Sequence, residues 1–398
     1  MVGLVICLIM LILFIIPLVN KKTGYDVYII WGVYFLSTFL SFFFDPKSFD
    51  GFKSAESYSN LHFILYGLLI CYSLSPLYVI KERDKRPLLN YFKFSFKHNN
   101  IINILIVGNI FAIVYMLPYA IKSMALGATE IRNQVLVLEE TFVLPPTILT
   151  TIAVAFSTFF SVYIGLFYLS LKSNLTKSKK IFLFIISFSY VVNSLCFTGR
   201  DGLIFYLLLT IIFITNYWGI FSRLERKRIY LLGFIVGGLG LFILTKITNE
   251  RFEDSSNGTM GYIATQPYVF AENIDKRNSF ANGFFYGTSV RFPLVNNLTG
   301  QKVVEYDREE QYEWTFGTFL TDFYSINGLV TMLLLLVFFI EFFKYYLRKS
   351  YNMPLRFMLT YVFYIHFIIS GLFYFKLGTF SGNIYILVLM ILIMITRR

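Results

Sequence analysis

The sequence predicts an all-α polytopic membrane protein of about eleven transmembrane helices, with the N-terminus outside and the C-terminus cytoplasmic. Three observations carry that prediction. The chain has 398 residues, 57% of them hydrophobic and only 15% charged, whereas a soluble domain carries about a quarter charged. Its apolar residues fall in long unbroken runs, each near the roughly 20 residues that a helix needs to cross a hydrocarbon core. Its Lys and Arg residues gather in alternate connections, as the positive-inside rule describes.

The runs lie at about 2–19, 26–43, 60–80, 101–121, 147–171, 181–197, 202–219, 229–246, 326–343, 355–374 and 383–396. Inside a bilayer every backbone donor and acceptor must be paired internally, so continuous runs of this length read as helices. A membrane barrel would show short segments of alternating polarity instead.

Taken in order, the first run lacks a basic leading segment and a small-x-small cleavage site, so it reads as a retained span. It ends inside at Lys21 and Lys22. The second and third runs flank an outer loop at about 44–59, and the third ends inside at Lys81–Arg86. The fourth leads to an outer loop at about 122–146, and the fifth ends inside at Lys172–Lys180. Only the turn Thr198–Gly202 separates the sixth run from the seventh, on the outer side. The seventh ends inside at Arg223–Arg228, and the eighth opens the one large outer loop, about 247–325. The ninth ends inside at Lys344–Arg356; a short outer turn holding Lys376 joins the tenth to the eleventh, which ends at Arg397 and Arg398. Of the 35 basic residues, about 22 fall on the inner side.

The net charge of +12 comes largely from those inner connections. It implies contact with anionic lipid, and no basic stretch is laid out for nucleic acid. Cys7, Cys71 and Cys196 sit within or beside spans without CxxC spacing, so neither a disulfide framework nor a zinc site is indicated. No phosphate loop, HExxH or GxSxG pattern is present, and no metal or other cofactor is expected. The wealth of Phe, Ile, Asn and Lys suggests an AT-rich bacterial genome. The organisation is a single transmembrane domain, 1–398. The loop 247–325 within it mixes aromatics such as Tyr262, Phe284 and Trp314 with many charges. It is expected to form short amphipathic helices lying on the membrane surface.

Function then rests on the few polar groups at the bilayer. Arg200 and Asp201 lie in a very short outer connection, where charge is costly unless paired or facing a polar cavity. Gly199 and Gly202 permit a tight turn, and the N–H groups of the helix that follows can join Arg200 in holding an anion. The plainer reading is a hairpin in which Arg200 and Asp201 pair with each other. Arg132 follows the fourth run, Arg251 closes the eighth, and Arg277 and Arg291 stand later in the loop. Arg291 sits between Val290 and Phe292, which favours partial burial. Two or three such cations converging would suit a diphosphate, since a guanidinium grips phosphate through two hydrogen bonds.

A base would come from Glu250, Glu253, Asp254, Glu272, Glu305, Asp307, Glu313 or Asp322, or from His366 within the tenth run. Glu250 and His366 are the leading pair. An interhelical hydrogen bond accounts for His366 equally well. His62 lies at the outer end of the third run and His98 on the inner side.

The segment Phe197-Thr198-Gly199-Arg200-Asp201-Gly202-Leu203, with many spans and one large late outer loop, resembles the O-antigen polymerase (Wzy) family, the oligosaccharide repeat unit polymerases. That resemblance implies an integral-membrane glycosyltransferase of the C type in the bacterial cytoplasmic membrane, working on its outer face without a metal. It implies a glycan on undecaprenyl diphosphate as donor, a lipid-linked repeat unit as acceptor, and a chain-length regulator as partner. Arg132, Arg200, Arg251 and Arg291 would hold diphosphate. An O-antigen ligase shares the donor, but a histidine is expected in its outer loop, and 247–325 has none. A lipid-linked oligosaccharide flippase would carry more charge through its spans, and a channel would show a ring of charges.

Overall fold

The computed structural model describes residues 2–19, 24–48, 52–82, 92–128, 130–131, 143–252, 261, 263–276, 291–295, 317–350 and 353–396. Among these residues regular structure is helical, and the sole β pairing is an isolated bridge between Phe92 and Ser173. The helices are α1 (Val2–Val19), α2 (Tyr25–Leu40), α3 (Asn60–Leu74), α4 (Pro76–Glu82) and α5 (Phe96–Leu126). They continue with α6 (Ile148–Thr158), α7 (Phe160–Leu171), α8 (Lys177–Ile186), α9 (Ser189–Cys196) and α10 (Asp201–Tyr217). The last are α11 (Arg223–Phe252), α12 (Gln266–Asp275), α13 (Phe319–Lys349), α14 (Pro354–Ser370) and α15 (Phe380–Ile395).

Among the described residues, six helical stretches are long and apolar enough to cross a membrane, or seven when α6 and α7, bent by 46°, count as one. Three shorter apolar helices, α10, α14 and α15, cover expected runs as well. The chain is therefore an all-α, multi-pass membrane protein. Each of the expected runs lies on one or more of these helices, the run 229–246 on α11.

Helix ends follow local chemistry. Ser59, Thr147 and Thr176 accept N–H groups of the first turns of α3, α6 and α8, satisfying donors that have no partner inside the helix. At α5, Ser95 and His98 form a reciprocal capping box. His98, placed on the inner side by the sequence, thus has a structural task. The bend between α6 and α7 also has a cause. The hydroxyls of Ser157 and Thr158 bond back to the Val154 carbonyl, and the Tyr163 hydroxyl reaches the Phe156 carbonyl at 3.1 Å. Carbonyls satisfied by side chains no longer hold the helical ladder straight.

The chain divides into two compact units. The first comprises residues 1–84, 257–351 and 364–393. In it α1 packs on α3 and α2, while α12 packs on α3, α13 and α2. Residues Gln266–Asn273 of α12 are all buried, so this part of the large loop is packed into the unit. The packing is held by polar bonds. Ser37 Oγ donates to the Ile263 carbonyl and Ser41 Oγ to the Ala264 carbonyl, each at 2.6 Å. The Tyr268 hydroxyl returns a bond to the Ser41 carbonyl at 2.8 Å. Backbone carbonyls buried in a membrane protein are stable where such partners satisfy them. Leu4, Phe44, Tyr58, Phe63 and Tyr268 close around the contact.

The second unit comprises residues 85–256, 352–363 and 394–398. There α5 packs on α6, α8 and α9, and α10 packs on α7 and α9. Ala112, Met116 and Ala120 of α5 meet Ala153 of α6 and Cys196 of α9. Small residues at this seam let the helices approach closely, which is how helices associate where no water drives them together.

Candidate functional site

In the second unit the turn between α9 and α10 is built as a rigid corner. Thr198 is buried and has φ 48, a left-handed conformation unusual for a β-branched residue. The backbone N–H of Gly199 returns to the Ser194 carbonyl at 2.8 Å. A side chain at Gly199 would place its Cβ 2.5 Å from Ser194 Oγ, and at Gly202 2.4 Å from Ser194 Cβ. Both glycines are thus set by close approach. Asp201 opens α10, where a carboxylate is favoured by the helix dipole. Ser194 Oγ donates to it at 2.6 Å and the Tyr190 hydroxyl at 3.0 Å. Hydroxyl groups of α9 therefore fix the aspartate, beyond anything a simple Arg200–Asp201 hairpin required. Tyr190 and Ser194 are four residues apart and so share one helix face. That spacing is the signal in the sequence that could have found them. Arg200 occupies the cap position of α10 and is partly exposed.

The other expected cations of this unit are less fully described. Arg132 lies outside the described residues. Glu250 and Arg251 belong to the final turn of α11, and their side chains lie outside the described set.

In the first unit Arg291 pairs with Asp322, Nη2 to Oδ1 at 2.6 Å. The Asp322 carboxylate also accepts the backbone N–H of Phe375. Arg291 Nε lies 3.4 Å from Ser325 Oγ, one turn along α13. Asn383 anchors the neighbouring backbone by accepting the Leu294 N–H at 3.2 Å and donating to the Leu377 carbonyl at 2.8 Å. The expectation of partial burial for Arg291 holds, since 29% of its side chain is exposed. Charge in this setting persists only with a partner, and Asp322, one of eight carboxylates named from the sequence, supplies it. Just beyond, α13 is broken: Asn327 and Gly328 leave helical geometry, Gly328 at φ 75 and ψ −162.

His366 is buried in the first unit, its ring edge-on to Tyr385 at 5.0 Å. That is a packing contact between α14 and α15. A second ionic cluster was not foreseen. Asp275, at the end of α12, lies 3.3 Å from both Lys53 Nζ and His62 Nδ1. It ties the 52–59 segment and the head of α3 to α12. One turn earlier, fully buried Glu272 lies 3.0 Å from Lys276 Nζ, close in distance without hydrogen-bond alignment. Burial first, and the Glu272 carboxylate second, hold the Tyr58 hydroxyl well above the usual phenol range.

The fold and these sites define a multi-pass helical membrane protein with charged groups fixed at helix ends. No family model, curated protein or solved structure matches the chain.

Proposed function

We propose that the protein polymerises undecaprenyl-diphosphate-linked oligosaccharide repeat units into a surface polysaccharide on the outer face of a bacterial cytoplasmic membrane. The observation that carries this reading is the turn Thr198–Gly202. It sets an arginine at the amino end of an apolar helix, in a corner whose glycines are packed against Ser194 and whose aspartate is held by Ser194 and Tyr190. A guanidinium and helix N–H groups are complementary donors for a diphosphate.

In the reaction the acceptor's sugar hydroxyl attacks the donor's anomeric carbon while a base takes its proton. The bond from that carbon to the diphosphate oxygen breaks, and undecaprenyl diphosphate leaves. Cations fixed at the departing diphosphate lower the barrier because its charge grows as the bond breaks. Arg200 takes that role, with Arg132 and Arg251 as the other proposed ligands. Glu250 is the proposed base. The closed packing of His366 favours a structural task for that residue.

The test is a length-resolved gel of lipid-linked glycan from cells carrying Arg200→Ala. The expected result is accumulation of single repeat units and loss of long chains, with the protein retained in the membrane at its normal level. Persistence of long chains makes Arg200 a structural turn. Long chains that survive deletion of the whole coding sequence reject the polymerase reading.

A further inference from the structure

We propose that one face of α13, near its basic end, is a binding site for an anionic phospholipid. The lipid phosphate would be held by Arg348 and Lys349 and an acyl chain laid along the same face. The site is a groove of about 430 Å³ lined by Glu341, Lys344, Tyr345, Arg348 and Lys349. These positions recur at helical spacing, so they form one stripe.

The charges are not equivalent. Lys344 Nζ bonds to Glu341 Oε1 at 2.8 Å and lies 4.6 Å from the centre of the Tyr72 ring. The Tyr72 hydroxyl donates to the same carboxylate oxygen at 2.9 Å. Glu341 and Lys344 are thereby neutralised against each other. Arg348 and Lys349 are left as a surplus of two positive charges, both exposed.

Lys349 does not reach away toward water, as a lysine near a membrane boundary ordinarily does. Its ammonium turns back by one helical turn to the Tyr345 hydroxyl at 2.8 Å, over the edge of the groove. Among the described residues Arg348 makes no hydrogen bond or close ion pair, and its charge acts on Glu341 only at longer range.

The apolar side of the site separates a lipid from a soluble anion. Val330, Leu334, Val337 and Phe338 are exposed by 69%, 66%, 47% and 52%. At 100° per residue they fall on the same face as Glu341, Tyr345 and Arg348. A continuous apolar stripe thus leads along one helix into a cationic groove. This matches a molecule with a hydrocarbon tail and an anionic head. Clustered Lys and Arg at the end of a span are the known recognition chemistry for such headgroups.

The test uses full-length protein in detergent, offered phosphatidylglycerol or phosphatidylcholine and read by native mass spectrometry. The parent is expected to retain phosphatidylglycerol preferentially, and millimolar inorganic phosphate should not displace it. Arg348→Gln with Lys349→Gln should cut that preference by roughly five-fold or more. Leu334→Gln with Val337→Gln should weaken retention of the same lipid. Arg223→Gln with Lys227→Gln, which removes two exposed cations from α11, should leave it unchanged. Should the Arg348 and Lys349 variant fail to fold, Glu341→Gln provides the opposite sign: freeing Lys344 should raise retention. Equal retention of the two lipids by the parent overturns the proposal, as does a control loss matching that of the site variant. Displacement by inorganic phosphate, with no effect of the stripe variants, makes the groove a site for soluble anions and also overturns it.

Discussion

At the scale of single residues, the ion pair of Arg291 and Asp322 makes the sharpest prediction. Asp322 is buried at the head of α13, meets Arg291 at 2.6 Å and accepts the Phe375 N–H. Asn at this position keeps the shape and one acceptor but leaves the guanidinium without a counter-charge. Removing one partner of a buried pair is far more damaging than removing both. Asp322→Asn is therefore expected to lose about 3 kcal/mol, read as a lower thermal midpoint in detergent. Arg291→Gln combined with Asp322→Asn should recover at least half of that loss. A single variant as stable as the parent would show that the pair carries no net stabilisation. The sequence named both residues, one as a diphosphate ligand and one among eight carboxylates. It offered no reason to join them, because 31 positions separate them and their contact depends on how 291–295 docks against Asn383 and the 371–379 turn.

At the scale of elements, the departure from expectation is that apolar runs are not always straight spans. The break in α13 at Asn327 and Gly328 lies where the sequence shows only the start of an apolar run. Gly328 has φ 75 and ψ −162, a region that residues with a Cβ essentially do not occupy. A Cβ there would meet nothing within 4 Å, so the constraint is one of backbone conformation and not of space. Gly328→Ala is expected to destabilise by about 1–3 kcal/mol. Gly238→Ala, at a helical glycine also without neighbours within 4 Å, should cost nothing. A raised melting temperature for Gly328→Ala would mean that the break is dispensable and that α13 prefers to run straight. Polar hydroxyls explain the bend at Phe159, and those serines and threonines were visible in the sequence. Their choice of partner was not, because Ser and Thr can bond locally or point away with little difference in free energy.

For the whole molecule, the orientation set by Lys and Arg is a prediction in its own right. In a background lacking Cys7, Cys71 and Cys196, a cysteine at Ser57 should react with a membrane-impermeant maleimide in intact cells. One at Ser173 should react only after the membrane is opened. Labelling of Ser173→Cys in intact cells, with Ser57→Cys protected, would invert the topology and move the proposed chemistry to the cytoplasmic side. The large loop shows how element and molecule differ. Its aromatic and charged composition pointed to surface-lying helices, and α12 is buried in its unit and tied by Ser37, Ser41 and Tyr268. Amphipathic composition marks a helix with a face to bury but does not say whether lipid or protein buries it.

The sequence by itself determined that this is a helical, multi-pass membrane protein, because hydrocarbon leaves an apolar run of span length few alternatives to a helix. It also determined the sharp corner at Thr198–Gly202, since only small residues permit such close approach to Ser194. Tertiary structure alone decided which carboxylate neutralises Arg291, which hydroxyls hold Asp201, and that α12 inserts into its unit. Those outcomes depend on contacts between residues distant in the chain or on choices among local hydrogen bonds of similar free energy. Neither apolar periodicity nor charge distribution encodes them.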